Sequence, residues 1–139
     1  MTNSAALLCD DAVMTQLVAA SAEDPENGVA AIETALATWP ADYRLHFLRG
    51  SLLIGLKRFI GAHQAMSTAV ALAPDFAIAR FQLGFFELTS GEAAAASATW
   101  APLKSSLPAN HWMALFVEGL EHLIADRFCL LYTSDAADE

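Results

Sequence analysis

Residues 50–74 read GSLLIGLKRFIGAHQAMSTAVALAP, and residues 84–108 read GFFELTSGEAAAASATWAPLKSSLP. A glycine opens each stretch, an alanine lies midway and a proline closes it. The same interval separates the members of each aligned pair, and the pairs are Gly50 and Gly84, Ala62 and Ala96, and Pro74 and Pro108. Self-similarity at a fixed interval of this length is typical of chains built from stacked repeats. We therefore expect one structural unit to occur at least twice.

Small side chains at fixed positions indicate what this unit is. Two helices of a hairpin can approach closely only where no large side chain separates them. The positions that meet this need are Gly50, Gly84, Ala62, Ala69 and Ala96. Proline ends a helix because it lacks an amide hydrogen and clashes with the preceding turn. The pattern therefore predicts a helical hairpin whose second helix ends at a proline.

Partial copies flank the two full ones. Gly119 lies one position further from Gly84 than Gly84 lies from Gly50, which predicts a third first helix after a one-residue insertion. Upstream, residues 28–40 match a second helix, preceded by a loop at residues 24–27 and a helix near residues 4–20. The predicted organisation is a degenerate unit over 1–40, repeats over 41–74, 75–108 and, in part, 109–128, and a separate segment over 129–139.

These residues resemble the tetratricopeptide repeat family, whose unit is a helix-turn-helix with small residues at the helix contact and a closing proline. The resemblance covers roughly residues 28–128. It implies an all-α fold, a right-handed α-solenoid of antiparallel helix-turn-helix repeats. The chain departs from the pattern at His46 and Arg80, where a large apolar residue is common. It also departs from it at Pro102, and a proline inside a helix predicts a kink or an early helix end near Ala101.

Composition agrees with closely packed helices. Hydrophobic residues make up 55% of the 139 residues, with only 7 Gly and 5 Pro. The formal net charge of −9 disfavours nucleic acid and anionic lipid as partners and favours a basic or apolar protein surface. No apolar run approaches the ~18 residues of a membrane span, and the amino terminus does not read as a secretory signal. We expect a cytoplasmic protein of bacterial type.

The last eleven residues, CLLYTSDAADE at 129–139, differ in character from the repeats. They resemble the translated end of a sequencing-library adapter, so we expect the natural chain to continue past Phe128 with other residues. The alternative is a genuine short acidic tail. If the segment is not native, the third unit lacks its second helix, and the apolar helix from Trp112 to Ile124 is expected to be uncovered and prone to self-association.

Stacked hairpins place their first helices on the inner wall of a curved groove. Spacings of three and four residues select the side chains on that wall. We name this predicted set the partner face, and it consists of Arg44, Phe47, Ser51, Ile78, Phe81, Phe85, Leu88, Met113, Phe116 and Leu120. Its aromatic rings are anchors for an amphipathic helix or an apolar peptide, or they are core residues. Arg44 alone is too little to grip a carboxylate terminus as some co-chaperones do.

Residues for catalysis are not apparent in the sequence. It contains no glycine-rich phosphate loop, no His-Glu-x-x-His motif and no Gly-x-Ser-x-Gly elbow. Glu118, His122 and Asp126 share a helix face and could ligate a cation, but a solvated polar stripe explains them better. We expect no enzyme activity, no cofactor and no metal. The alternatives to an interaction module are a chaperone similar to those of secretion systems, and the repeat portion of a larger enzyme.

Overall fold

The computed structural model describes the chain over residues 8–137, and its side chains over residues 8–125. The regular elements within residues 8–137 are α-helices, which confirms the all-α prediction. They are α1 (Asp11–Glu23), α2 (Pro25–Thr38), α3 (Tyr43–Gly55), α4 (Phe59–Leu72), α5 (Ala77–Thr89), α6 (Ala93–Ser106) and α7 (Trp112–Ala137). The chain divides into two units, Met1–Ala79 and Arg80–Glu139.

Helix boundaries recur at a constant interval along the chain, the one that separates Gly50 from Gly84. The helices α2, α4 and α6 begin at positions 25, 59 and 93 and end at positions 38, 72 and 106, so both ends are displaced equally each time. The helices α3 and α5 begin at positions 43 and 77 and end at positions 55 and 89, which is the same displacement. The start of α7, at position 112, comes one position later than this interval predicts from α5, in agreement with the one-residue insertion inferred from Gly119.

The turn inside each of the hairpins α3/α4 and α5/α6 is closed by the same two backbone hydrogen bonds. A residue with positive φ lies at the centre of the turn, and it is Lys57 (φ 63°) in one hairpin and Gly91 (φ 88°) in the other. In the first hairpin the amide of Lys57 donates to the carbonyl of Ile54, and the amide of Arg58 donates to that of Leu53. In the second hairpin the amide of Gly91 donates to the carbonyl of Leu88, and the amide of Glu92 donates to that of Glu87. This is the left-handed termination by which many helices satisfy their last carbonyls.

The second helices also end alike. The residue before each proline donates its amide to the carbonyl four positions earlier, and the pairs are Trp39 to Ala35 (2.9 Å), Ala73 to Ala69 (2.9 Å) and Leu107 to Leu103 (3.0 Å). The next residue is Pro40, Pro74 or Pro108, which has no amide to continue the ladder. The prediction that proline closes each second helix is therefore confirmed.

The amino-terminal hairpin differs in detail from the expectation. The helix α1 begins at Asp11, later than predicted, and residues 1–7 lie outside the described part of the chain. Residues 24–27 do not form a loop, because Pro25 occupies the first helical position of α2. Asp24 precedes it as N-cap, and its carboxylate accepts hydrogen bonds from the amides of Glu26 and Asn27.

Of the two outcomes predicted for Pro102, an early end of α6 near Ala101 is wrong, and a kink stays a prediction. The helix continues through Pro102 to Ser106. Proline removes one hydrogen bond from the ladder and usually costs about 3 kcal/mol inside a helix. Tertiary packing offsets this cost, because Trp100 and Leu103, on either side of the proline, are buried.

In Met1–Ala79 the helices of each hairpin approach closely at a glycine. A Cβ atom on Gly28 of α2 would lie 2.7 Å from the backbone of Ser21 in α1, and a Cβ on Gly50 of α3 would lie 3.0 Å from the side chain of Met66 in α4. Around these contacts lies the core of the unit. Its buried residues include Leu17, Ile32, Leu45, Leu53, Ala62, Ala65, Met66 and Ala69.

In Arg80–Glu139 the same contact is made by Gly84 and Trp100. A Cβ atom on Gly84 of α5 would overlap the indole of Trp100 in α6. The indole is fully buried, and its Nε1–H donates to the carbonyl of Phe81 at 3.1 Å. Gly50 and Gly84 precede the residues that cover them by the same number of positions, so the two hairpins share one register. The prediction that both glycines lie at helix contacts is confirmed.

The last helix, α7, runs without interruption from Trp112 to Ala137 and so includes most of the segment 129–139. The origin of that segment stays a prediction. Among the described residues, no helix combines the length and the apolar character that crossing a bilayer requires.

Candidate functional site

Four members of the predicted partner face belong to the first unit. Phe47, on α3, is half-buried, and its ring meets the ring of Phe76 edge to face with 5.1 Å between the centroids. Tyr43 contacts the same ring at 5.1 Å. Ser51 and Ile78 are also half-buried. Phe47 therefore contributes to packing within the unit as well as to its surface.

Arg44, the fourth member in this unit, is held by neighbouring residues. Its guanidinium donates to both carboxylate oxygens of Asp42, at 3.1 and 3.0 Å, and to the backbone carbonyl of Cys9 at 2.7 Å. It also reaches the exposed carboxylate of Asp11 at 3.4 Å. The side chain fastens the segment before α1 to the start of α3, and a partner would have to compete with these bonds.

Asp42 is the centre of this cluster. It is fully buried, its Oδ2 accepts from the amide of Cys9 at 2.9 Å, and its Oδ1 caps α3 by accepting from the amide of Arg44 at 3.0 Å. Burial alone raises the pKa of Asp42, but the hydrogen bonds from Arg44 and Cys9 outweigh it and hold the pKa below its usual value. Conversely, burial raises the pKa of the Cys9 thiol.

The other six members of the partner face belong to the second unit. Phe81 packs edge to face against Trp112 (5.7 Å between centroids) and Phe116 (5.6 Å), so α5 and α7 share an aromatic cluster. Met113 is buried, which removes it from the accessible set. Leu88 and Leu120 are half-buried. The open aromatic surface of the unit is formed by Phe85 (43% exposed), Phe116 (48%) and Trp112 (58%).

The aromatic residues of the partner face differ in their surroundings. Phe47, Phe81 and Phe116 contact other rings, which is compatible with the core interpretation. Phe85 and Phe116 keep nearly half of their surface exposed, which is compatible with the binding interpretation, and the choice between the two stays a prediction. Spacing along a helix selects a face, but it cannot tell which side chains a neighbouring helix covers.

The polar candidates have structural partners. The Nε2 of His46 lies 2.8 Å from the carbonyl of Pro40, and the Nδ1 of His111 accepts from the amide of Met113 at 3.1 Å, at the start of α7. His122 and Glu118 form a long, exposed pair at 3.9 Å. Where side chains are described, no group of three His, Cys, Asp or Glu residues is placed to hold a metal ion.

A shallow depression lies beside this pair, between α6 and α7. Its lining residues are Lys104, Glu118, Glu121 and His122. Lys104 donates to one carboxylate oxygen of Glu121 at 3.0 Å, and the other oxygen is buried with no hydrogen-bond partner among the described residues. This arrangement places a cation and an acid in contact across the helix pair.

Two features were missed by sequence reasoning. Asp42 was not singled out, although an aspartate directly before a helical stretch is a recognisable N-cap signal. The exposed side chains of Phe59 and Ile60 on α4 were also missed, because the predicted partner face was drawn from the first helices alone. Neither feature changes the chemistry available to the site.

No family model matches the chain, and no curated protein is significantly similar to it. The features of the molecule that bear on its function are therefore its internal regularity and its exposed side chains. The regularity is the constant interval in helix boundaries and hairpin contacts. The exposed side chains are the aromatic residues of α5 and α7.

Proposed function

We propose that the chain is a non-catalytic interaction module of the tetratricopeptide type, which binds a peptide or a partner helix through apolar side chains of its first helices. The observation that carries this proposal is the constant interval between equivalent helix boundaries, from position 25 to 59 to 93 for the second helices. A helix-turn-helix unit that recurs every ~34 residues is the signature of that repeat class. The recurring left-handed turn at Lys57 and Gly91 supports the same assignment.

The proposed architecture is a right-handed α-solenoid. Its support is the shared register of the hairpins, in which Met66 covers Gly50 and Trp100 covers Gly84. Units of the same shape bury their apolar faces by stacking on their neighbours, and small equal rotations between them generate curvature. In such a stack the first helices line the concave side.

Phe85 and Phe116 are the proposed anchors for the partner. Aromatic side chains dominate the energy of many interfaces, and fully burying a Phe is worth about 1.5 to 3 kcal/mol. Each of these two rings leaves nearly half of its surface exposed, so each retains part of that free energy for a partner. The net charge of −9 favours a partner segment that is neutral or basic.

The test is to select binders from a displayed library of random peptides with the full chain and to measure their affinity by calorimetry. We expect Phe85→Ala to weaken binding by about tenfold or more, because it removes an anchor. The matched control is Phe59→Ala on α4, which deletes a ring that is 50% exposed but lies outside the partner face. Both variants should lose a similar, small amount of stability, about 1 kcal/mol.

Equal weakening by both variants would assign the peptides to non-specific apolar contact. A library that yields no binder would remove the proposal. Loss of the fold in Phe85→Ala, judged by circular dichroism, would assign Phe85 to the core instead.

A further inference from the structure

Residues 8–10 precede α1 and lie against the start of α3. We name these three residues the amino-terminal strap. Cys9, at its centre, is held through its backbone. Its amide donates to Oδ2 of Asp42 at 2.9 Å, and its carbonyl accepts from Nη2 of Arg44 at 2.7 Å. These two bonds and the burial of its side chain attach Cys9 to the rest of the unit.

The ion pair of Asp42 and Arg44 is complete without the strap. Oδ1 of Asp42 accepts from the backbone amide of Arg44 at 3.0 Å and from its Nε at 3.1 Å, and Oδ2 accepts from Nη2 at 3.0 Å. A buried charge that loses its partner is costly. Departure of Cys9, however, would leave the carboxylate and the guanidinium paired and the N-cap of α3 in place. Release of the strap therefore costs the bonds and the burial of Cys9, and it spares the ion pair.

Asp10 provides a position at which the strap can turn away from the unit. Its backbone is extended, with φ −65° and ψ 151°, and within the described residues its exposed side chain makes no capping hydrogen bond to α1. The carbonyl of Asp10 accepts from the amide of Met14 at 3.0 Å. Rotation about the N–Cα bond of Asp10 moves Cys9 and leaves this bond intact. The strap can therefore move while α1 stays folded.

We propose that the amino-terminal strap opens as a local unit while the helices stay folded, and that Arg44 is the latch that holds it closed. Chain ends open at low free energy unless bonds tie them down, and such opening does not require global unfolding. When the strap is closed, Cys9 is buried in one apolar cluster with Leu17, Ile32 and Leu45. Opening exposes the thiol and this end of the cluster to solvent. The strap is a conformational device that controls access to Cys9, and it does not depend on the proposed function.

The closed strap keeps the thiol unreactive. Cys9 is 4% exposed, so a reagent in solution cannot reach its sulfur. Burial, together with the neighbouring carboxylate of Asp42, raises the pKa of the Cys9 thiol, although the Arg44 guanidinium acts in the opposite direction. The thiolate is the nucleophilic form of cysteine. The rate at which Cys9 reacts therefore reports how often the strap is open.

The test measures the reaction of Cys9 with dithiodipyridine, whose disulfide the thiolate attacks to release a chromophoric thiopyridone. The full chain carries Cys129→Ser, which leaves Cys9 as the only cysteine. The rate is followed at increasing urea concentration. Without urea we expect it to be about a hundredfold or more below the rate of the urea-unfolded chain. It should change little until the unfolding transition begins, because opening of three residues exposes little surface.

Arg44→Lys should raise the rate without urea about tenfold. Lysine keeps a cation beside Asp42, but it lacks the planar fork that bonds the carboxylate and the Cys9 carbonyl together. The matched control is Arg49→Lys, because the guanidinium of Arg49 pairs with Glu33 at 3.2 Å in the same unit. This control should leave the rate within about twofold of the parent. Urea denaturation of each variant separates faster opening from a loss of global stability.

Hydrogen exchange of the Cys9 amide gives an independent measure in the unsubstituted chain, because this amide is bonded to Asp42 when the strap is closed. Its opening free energy should agree with that of the thiol. A thiol rate that rises with urea as steeply as global unfolding, from the lowest concentrations onward, would overturn the proposal. Cys9 would then be exposed only when the whole unit unfolds. Equal acceleration by Arg44→Lys and Arg49→Lys would overturn the assignment of the latch.

Discussion

Lys57 holds a backbone conformation that favours glycine. Its φ of 63° lies in the left-handed region, at the turn position where the next hairpin has Gly91. For a residue with a Cβ this conformation costs roughly 1 kcal/mol. The repeat aligns Lys57 with Gly91 in the sequence, but only the backbone shows that Lys57 adopts the same positive φ.

We predict that Lys57→Gly stabilises the protein by about 0.5 to 1 kcal/mol. Relief of the strained φ exceeds the extra entropy that glycine brings to the unfolded chain. Urea denaturation at neutral pH measures the free energy of unfolding. The control is Lys57→Ala, which removes the charge and keeps the Cβ, so a gain of equal size in both variants would contradict the backbone explanation.

At Asp42 we predict a pH-dependent contribution to stability. Asp42→Asn should cost about 2 kcal/mol at pH 7, because Arg44 loses its anionic partner. The folded-state pKa of Asp42 is lowered, so its contribution is present above the unfolded value of about 3.9 and is lost as the pH falls through the folded value. The difference between the wild type and the variant should therefore shrink below about pH 4.

The measurement is urea denaturation of both proteins at neutral and acidic pH. Asp24→Asn is the comparison, because Asp24 is an exposed cap that bonds only to backbone amides. It should cost no more than about 0.5 kcal/mol. A cost at Asp42 that stays constant down to acidic pH would show that the ion pair with Arg44 is not its source.

At the scale of helices, the three aligned glycines differ in what surrounds them. A Cβ on Gly84 would overlap the rigid indole of Trp100, and one on Gly50 would press on the flexible side chain of Met66. A Cβ on Gly119 would meet no atom of the described residues within 4 Å. The alignment predicted that all three glycines lie at helix contacts. The loss of stability on substituting each one, however, depends on which side chain covers it.

We therefore predict a graded response to alanine. Gly84→Ala should destabilise the protein by about 2 to 4 kcal/mol, because the buried indole would have to move. Gly50→Ala should cost less, and Gly119→Ala should stabilise by about 0.5 to 1 kcal/mol through helix propensity. Thermal denaturation of the three variants would measure this order. A Gly119→Ala variant as unstable as Gly84→Ala would mean that α7 is covered on that face.

Local sequence rules explain which helix limits were predictable. The prolines at 40, 74 and 108 ended the second helices as expected, because a residue without an amide cannot extend the ladder. The same rule does not hold at Pro102, because burial of Trp100 and Leu103 stabilises α6 on both sides of this proline. The helix α2 starts earlier than predicted, because proline is common in loops but also suits the first turn of a helix, where Pro25 lies.

At the scale of the whole molecule, one constant interval orders the chain from α2 to α6, and this much was predictable from Gly50, Gly84 and the prolines. The buried cluster of Asp42, Arg44 and Cys9 was not predictable from the sequence. Cys9 is distant in the chain from the other two residues, and their contact does not recur in the other repeats. Spacing also could not separate Phe85 from Phe81. The two lie on the same helix, and only the contacts of Phe81 with Trp112 and Phe116 distinguish them.

The recurrence of the same backbone bonds at both kinds of turn affects how the gene can change. Equivalent backbone donors and acceptors lie at equal offsets along the sequence. An insertion or deletion of one whole repeat, bounded by equivalent codons, therefore leaves each remaining turn with the backbone groups that close it. Any other increment would put a helix-forming stretch where the chain must reverse direction. The number of hairpins is therefore the property that this arrangement of bonds allows to vary at least cost.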